Sequence, residues 1–394
     1  MRLLRLTTAG ESHGPALTAV LEGIPAGVPL LAAHVDHDLA RRQQGYGRGR
    51  RMQIETDRVT ILGGVRAGET LGGPIALQVA NRDWGNWAAI MDPAPRDDDA
   101  AGGRKRQVTR VRPGHADLTG VLKYDRTDAR DILERASARE TTARVAAGAV
   151  CRQLLRQVEI HVGSHLVHLG GVEATPPAPL PADLNAAADQ SPLRTLDPAA
   201  EAAMIARIDA AKREGNTLGG ICEVVVTGLP VGLGSHVSWD RRLDGRLGQA
   251  MLSIPAVKGV EIGLGFGCAS RTGAEVHDEI EAAPGRVRAG HVARRTNRAT
   301  GEPLVIRVAM KPIATLMRPL ATIDLATGAA ASAAAERSDV TAVPAMGVIA
   351  EAMAALVVAD ALLEKCGGDS LGELQRNLAG YLAGMDRHAP PTPA

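Results

Sequence analysis

The chain has 394 residues, 45% of them apolar and 23% charged, enough to bury a sizeable core and close to ordinary globular usage. Lys plus Arg (45) balance Asp plus Glu (44), so no global field recruits nucleic acid or an anionic membrane, and an anion site must be a local cluster. One Phe, three Tyr and three Trp offer few stacking platforms for single-stranded nucleic acid.

The N-terminal stretch has no signal-type apolar core, and apolar runs are broken short of a membrane span. Cys151, Cys222, Cys268 and Cys366 form no CxxC pair, so a cytoplasmic protein with reduced thiols is expected. TTAGESHG (7–14) sets Ser12 and His13 in a glycine-flanked polar turn. A strand-like run then enters LEGIPAGVPLLAAHVDHDLARR, followed by ARRQQGYGRGRR with Arg41, Arg42, Arg48, Arg50 and Arg51. Forked guanidiniums bind phosphate or carboxylate bidentately, although a solvated basic face has the same composition. Strands are expected at Val59 to Leu62 and Ile75 to Ala80, and 95–107 reads as a surface excursion.

TRVRPGHAD adds Arg110 and Arg112 ahead of His115, again in a glycine-containing turn. His13 and His115 are either structural turn residues or an acid–base pair acting on an anion. A helix is expected over Arg130 to Val158, with Arg135 and Arg139 one turn apart on a shared face and Glu134 or Glu140 as ordinary pairing partners. HVGSHLVH contains His161, His165 and His168, but a strand would turn His168 away from the others, and no metal site is expected.

After a Pro-rich excursion (174–193), a helix is expected over Ala199 to Arg213 and a strand over Ile221 to Thr227. VTGLPVGLGSHVSWDRRLDGRL then echoes the earlier stretch, Gly23, Pro25 and Gly27 matching Gly228, Pro230 and Gly232 at an offset of 205, while GEPLVIRVA echoes GGPIALQVA. One domain (1–394) of two similar halves, about 1–205 and 206–386, with a loose tail over 387–394, is the expected organisation. Helices over Arg241 to Leu252, Val343 to Lys365 and Ser370 to Met385, with a strand over Leu304 to Ala309, complete a mixed α+β order. GLGFG is a weak dinucleotide signal, and AERSDVTAVPAMG places Arg337, Ser338 and Asp339 where a helix cap is the simple alternative.

In order and spacing, GESHG, GYGRGRRMQIETDRV, TRVRPGHADLTGVLKY, RASARETTARVAAGAV, NTLGG, LSIPAVKGVEIGLGF, AMKPIATL and RSDVTAVPAMGV closely resemble the signature stretches of the chorismate synthase family, over nearly the whole chain. The resemblance implies a β-α-β sandwich core with internal pseudo-two-fold similarity, a homotetramer, and phosphate elimination from 5-enolpyruvylshikimate 3-phosphate that depends on reduced FMN. It implies Arg42, Arg48, Arg112, Arg139 and Arg337 for the polyanionic substrate, His13 as proton donor to the leaving phosphate, His115 beside the flavin, and Asp339 with Ser12 as a relay. Arg135, Ala136, Ser137, Pro255, Ala256, Lys311, Pro312, Ile313, Ala314, Thr315 and Arg337 are implied for the flavin site. NADPH is implied only as a flavin reductant, with Arg42 and Arg48 as its alternative contacts and an external flavin reductase as the other electron source. Rival readings are a catalytically degenerate relative and an anion- or RNA-binding oligomer. In one respect the chain departs from the family: RRTNRATGEPLV passes directly from Ala299 to Thr300, where the family carries a glycine-rich loop that contacts flavin. Intact flanking motifs favour an omitted stretch over a true deletion.

Overall fold

Alternation of apolar with small or polar residues sets the first strands. In β1 (Arg5–Ala9) and β2 (Ala16–Glu22), Leu17, Ala19 and Leu21 are buried while the residues between them are half-exposed, the period of two of a strand with one covered face. The first half continues through α1 (Ala32–Gln43), β3 (Val59–Gly63), β4 (Ile75–Ala80), α2 (Asp117–Tyr124) and α3 (Thr141–Arg156). The second contains β5 (His161–Leu169), β6 (Gly220–Thr227), α4 (Leu243–Leu252), β7 (Val257–Ile262), β8 (Leu304–Met310), α5 (Val343–Cys366) and α6 (Leu371–Met385). The computed structural model describes residues 3–49, 56–95, 107–277, 280–283, 286–289, 302–335 and 339–385. Arg50, Arg51, Arg337, Ser338, the Ala299–Thr300 junction and the 387–394 tail lie outside the described residues.

The two main sheets are antiparallel. One runs β1-β2-β4-β3; the other runs β5-β6-β8-β7, with a two-residue strand, Val172–Glu173, on its β5 edge. Each half therefore threads its strands in the same order, first-second-fourth-third, with a helix after the second strand and another after the fourth. The Gly-x-Pro-x-Gly echo has a matching geometry: Gly23 and Gly228 have φ of +95° and +77°. A Cβ on Gly23 would lie 2.2 Å from the Leu3 carbonyl oxygen, and one on Gly228 would lie 2.0 Å from that of Glu159. In both halves the chain leaving the second strand crosses the segment entering the first so closely that only glycine fits. The repeat in strand order divides the chain between α3 and β5, not near 205; the intervening 170–219, with the helix Pro198–Arg213, is inserted between the first two strands of the second half.

The helices form the middle layer. α1 and α3 lie on the first sheet, α4 and α5 on the second, and α3 packs along α5. Gly148 makes that approach possible, since a Cβ there would fall 2.4 Å from the Cβ of Ala352. The expectation that apolar runs stop short of a membrane span does not hold for α5, which is long and apolar enough to cross one by length and composition, although 83% of its most apolar window is buried in protein. It is the central core helix.

The helix expected over Arg130 to Val158 is broken. A short helix, Arg130–Leu133, stops before Ser137, which is extended (ψ 143°) and whose Oγ accepts the Arg139 N–H; α3 starts only at Thr141. Side-chain capping of this kind competes with helix continuation.

Candidate functional site

The GESHG turn joins β1 to β2. Gly10 has φ +103°, and a Cβ there would meet the Ala16 carbonyl oxygen at 2.3 Å, so the tight exit from β1 requires glycine. The Ser12 N–H donates to the Glu134 carbonyl (3.0 Å), and the His13 N–H donates to Glu134 Oε2 (3.1 Å). Ser12 is buried. His13 Nδ1 lies 2.7 Å from the same Oε2, and its ring stacks on Trp87 with centroids 3.9 Å apart. Glu134 Oε1 accepts from Arg130 at 2.8 Å. Burial alone would raise the Glu134 carboxyl, but His13 and Arg130 outweigh it and hold it lowered.

Asn81 ties this turn to a basic cluster. Its amide donates to the carbonyls of Glu11 (3.2 Å) and Gly14 (2.6 Å), while its Oδ1 accepts from Arg139 Nε (3.2 Å) and Nη2 (3.1 Å). Arg139 Nη1 is fixed by Asp57 at 2.6 and 2.7 Å. Arg42, equally buried, donates to Thr141 Oγ1 and the Ala138 carbonyl. Its Nη1 is buried without a hydrogen bond, 3.6 Å from Asp57 Oδ2. Burial lowers the Arg42 guanidinium to about 10, against the opposing pull of Asp57. Asp339 accepts from the Gly49 N–H (2.6 Å) and pairs with Arg48 Nε at 3.2 Å, so Arg42, Arg48, Arg139 and Asp339 share one region.

Arg112 belongs to a second cluster. Its guanidinium donates to Asp117 at 2.8 and 3.2 Å, and His115 Nδ1 lies 2.5 Å from Asp117 Oδ1. Burial would raise the Asp117 carboxyl, yet His115 and Arg112 depress it strongly. Lys311 Nζ donates to the Gly114 carbonyl, and the Lys311 N–H to that of Ala256. Ala256 has φ +67°. The His115 turn therefore docks on Lys311 and Ala314, with Pro255–Ala256 alongside, and Thr217 Oγ1 donates to the Ile313 carbonyl. Pro312 is exposed and Thr315 half-exposed.

The break before α3 overturns the shared Arg135–Arg139 face. Arg135 instead clamps β1, donating to the carbonyls of Thr8 (3.0 Å) and Gly10 (3.1 Å). It lines a cavity of about 380 Å³ with Thr8, Arg144, Arg246 and Ser253, which does not include the two histidines. Ala136 and Ser137 are half-exposed between the two arginines. Arg41, from the same basic run as Arg42, is a core residue: with Arg152, Arg194 and Ser164 it binds the fully buried Glu351. His165 is buried on β5 near Glu223 (3.4 Å), and among the described residues no group of three His, Cys, Asp or Glu could hold a metal.

Reading the sequence alone misses Asp57, Asn81 and Trp87: Asp57 lies within GYGRGRRMQIETDRV but is overshadowed there by the arginines, and Asn81 and Trp87 belong to none of the quoted stretches. It also assigns Glu134 to pairing within its helix; only the fold brings His13 to its other oxygen.

An α+β enzyme with two histidine–carboxylate pairs and a buried basic cluster is the class that fold and site define. A family model for chorismate synthase matches residues 4–363. Chorismate synthase of Symbiobacterium thermophilum is 56% identical, covering 98% of this chain and all of its own, and that of Thermobifida fusca is 54% identical over 96% and 98%. A crystal structure of chorismate synthase superposes with a TM-score of 0.77 at 40% identity, covering 98% of this chain and 99% of its own. The chain belongs to the chorismate synthase family, and is a lyase.

Proposed function

We propose that this chain eliminates phosphate from 5-enolpyruvylshikimate 3-phosphate by an anti 1,4-elimination, giving chorismate for aromatic amino acid synthesis in the cytoplasm. The observation that carries the reading is the link through Asn81 between the His13 turn and the Arg139, Asp57 and Arg42 cluster: a proton-bearing ring and a polyanion cradle are built as one unit. The buried Arg42 Nη1 without a hydrogen bond is a donor that a phosphate or carboxylate oxygen would satisfy. In this reading Arg42, Arg48, Arg139 and Arg337 hold the substrate's anionic groups, and Arg112 contributes through the His115 turn. His13 gives a proton to the departing phosphate while the arginines stabilise its growing charge. Asp339 and Ser12 handle the ring proton.

The residues also fit reduced FMN. Ala136, Ser137, Pro255, Ala256 and Ala314 are small or flat side chains suited to a planar ring, and Lys311 brings an ammonium group to the Gly114 turn beside Ala314. Arg135, Pro312, Ile313 and Thr315 complete this set, with His115 at the ring. When bound, reduced flavin supplies electron density to the breaking C–O bond, with no net redox change. A homotetramer, and either NADPH or an external reductase as the source of electrons, belong to the same reading.

The test mixes protein, substrate and chemically reduced FMN without oxygen. Stoichiometric phosphate release with chorismate absorbance is expected; absence of both rejects the reading. His13→Gln should keep substrate binding but slow a single turnover by about 10²- to 10⁴-fold.

A further inference from the structure

The two candidate histidines are held by one device, built twice. His13 Nδ1 meets Glu134 Oε2 at 2.7 Å and His115 Nδ1 meets Asp117 Oδ1 at 2.5 Å. Both carboxylates are buried, and each is also gripped by an arginine, Arg130 or Arg112. At His13 the grip is closer still, because the Glu134 oxygen that meets the ring also accepts the His13 backbone N–H. Ring and backbone are thus pinned to one atom, and the opposite ring edge, carrying Nε2, is directed away from Glu134.

We propose that Glu134 is a positioning residue for His13: a buried carboxylate that fixes the ring through Nδ1, leaves Nε2 as the proton-donating atom, and balances the ring's charge until that proton is given up. Orientation by a carboxylate on the far nitrogen selects the tautomer of a catalytic imidazole. The charged groups on the adjoining elements are Arg130 and Asp131 on the short helix, Glu11 in the turn itself, and Arg82 and Asp83 on the Arg82–Asn86 segment, where the Asp83 carboxylate accepts the Trp87 indole N–H at 2.8 Å. Of these, Arg130 is bound to Glu134 Oε1 and Asp83 to Trp87, while Glu134 Oε2 meets the ring itself. The inference rests on the proposed role of His13 as proton donor.

Two measurements test it. In selectively ¹⁵N-histidine-labelled protein without flavin or substrate, His13 Nδ1 should stay protonated in both charge states of the ring, so that Nε2 is the nitrogen that gains and loses a proton, a preference lost in Glu134→Gln; a His13 with Nδ1 unprotonated overturns the proposal. In anaerobic single turnovers with reduced FMN, Glu134→Gln should lower the rate about 10- to 100-fold, with KM within about threefold. Glu134→Asp, which keeps the charge, should recover part of the lost rate. Glu134→Gln should add nothing to the loss already caused by His13→Gln. A double variant markedly slower than His13→Gln alone shows that Glu134 does not act through His13. A normal rate for His13→Gln itself would instead remove the parent reading, so the two failures are distinguishable.

Discussion

Gly10 shows how one backbone position controls the chemistry beside it. Its φ of +103° and the 2.3 Å approach of the Ala16 oxygen leave no room for a Cβ, and the turn it starts carries His13. Gly10→Ala should lower stability by about 1–3 kcal/mol, read from the urea midpoint, and should reduce turnover because His13 is displaced from Glu134. Gly73, where an added methyl would find no atom within 4 Å, is the control: Gly73→Ala should stay within about 0.5 kcal/mol of the parent. The identity of the polar residues in GESHG could be read from the sequence, but their partners could not. Glu134 lies 121 positions from His13, and its pairing with Arg130 four residues earlier looks complete in one dimension.

Among the elements, the contact between α3 and α5 holds the two sheets together. By helix propensity alone, Gly148→Ala would be favourable by roughly 1 kcal/mol. Packing reverses the sign: the new methyl would meet Ala352 Cβ at 2.4 Å, its Cα at 2.6 Å and its carbonyl oxygen at 2.9 Å. A net loss of about 1–3 kcal/mol is expected, measured by chemical denaturation, and a stabilised variant would show that the helices can separate without loss. The same balance of local and distant forces explains the break before α3. Arg130 to Val158 has helical composition throughout, but Ser137 caps a new turn and Arg139 is drawn to Asp57 and Asn81. Strands Ile75–Ala80 and Leu304–Met310 were legible because they alternate or are β-branched between turn signals. β5 was harder to recognise: its buried His165, Ser164 and Gly163 give no apolar pattern.

At the scale of the whole molecule, the two halves are joined by a buried ionic network as well as by apolar packing. Glu351 on α5 accepts from Arg41 of α1, Arg152 of α3 and Arg194 of the insertion. Burial would raise its carboxyl, but the three arginines hold it down to about 2, from an ordinary value of 4.5. A depressed folded-state value contributes stability above about pH 4.5 and loses it as pH falls through about 2. On the order of 3 kcal/mol should therefore disappear across that window, and acid unfolding of the parent should be steeper there than that of Glu351→Gln. At neutral pH Glu351→Gln should cost about 3–5 kcal/mol, since it leaves three buried guanidiniums with only Asp38 and Asp189 to balance them, one charge uncompensated. Thermal melts across pH measure both.

The sequence by itself determined the strands and helices with strong periodicity, the echo of one half in the other, and the residue types able to bind a polyanion and move a proton. These are local properties: side-chain chemistry, spacing along the chain, and glycines at close turns such as Gly10 and Gly23, where φ is positive. Only the tertiary structure decided that Arg41 enters the core while its neighbour Arg42 faces the site, that Arg135 and Arg139 part company, and that His13 and His115 each rest on a buried carboxylate. Ion pairs and hydrogen bonds between distant segments depend on which surfaces the packed layers bring within about 3 Å, and that distance is set by the whole fold.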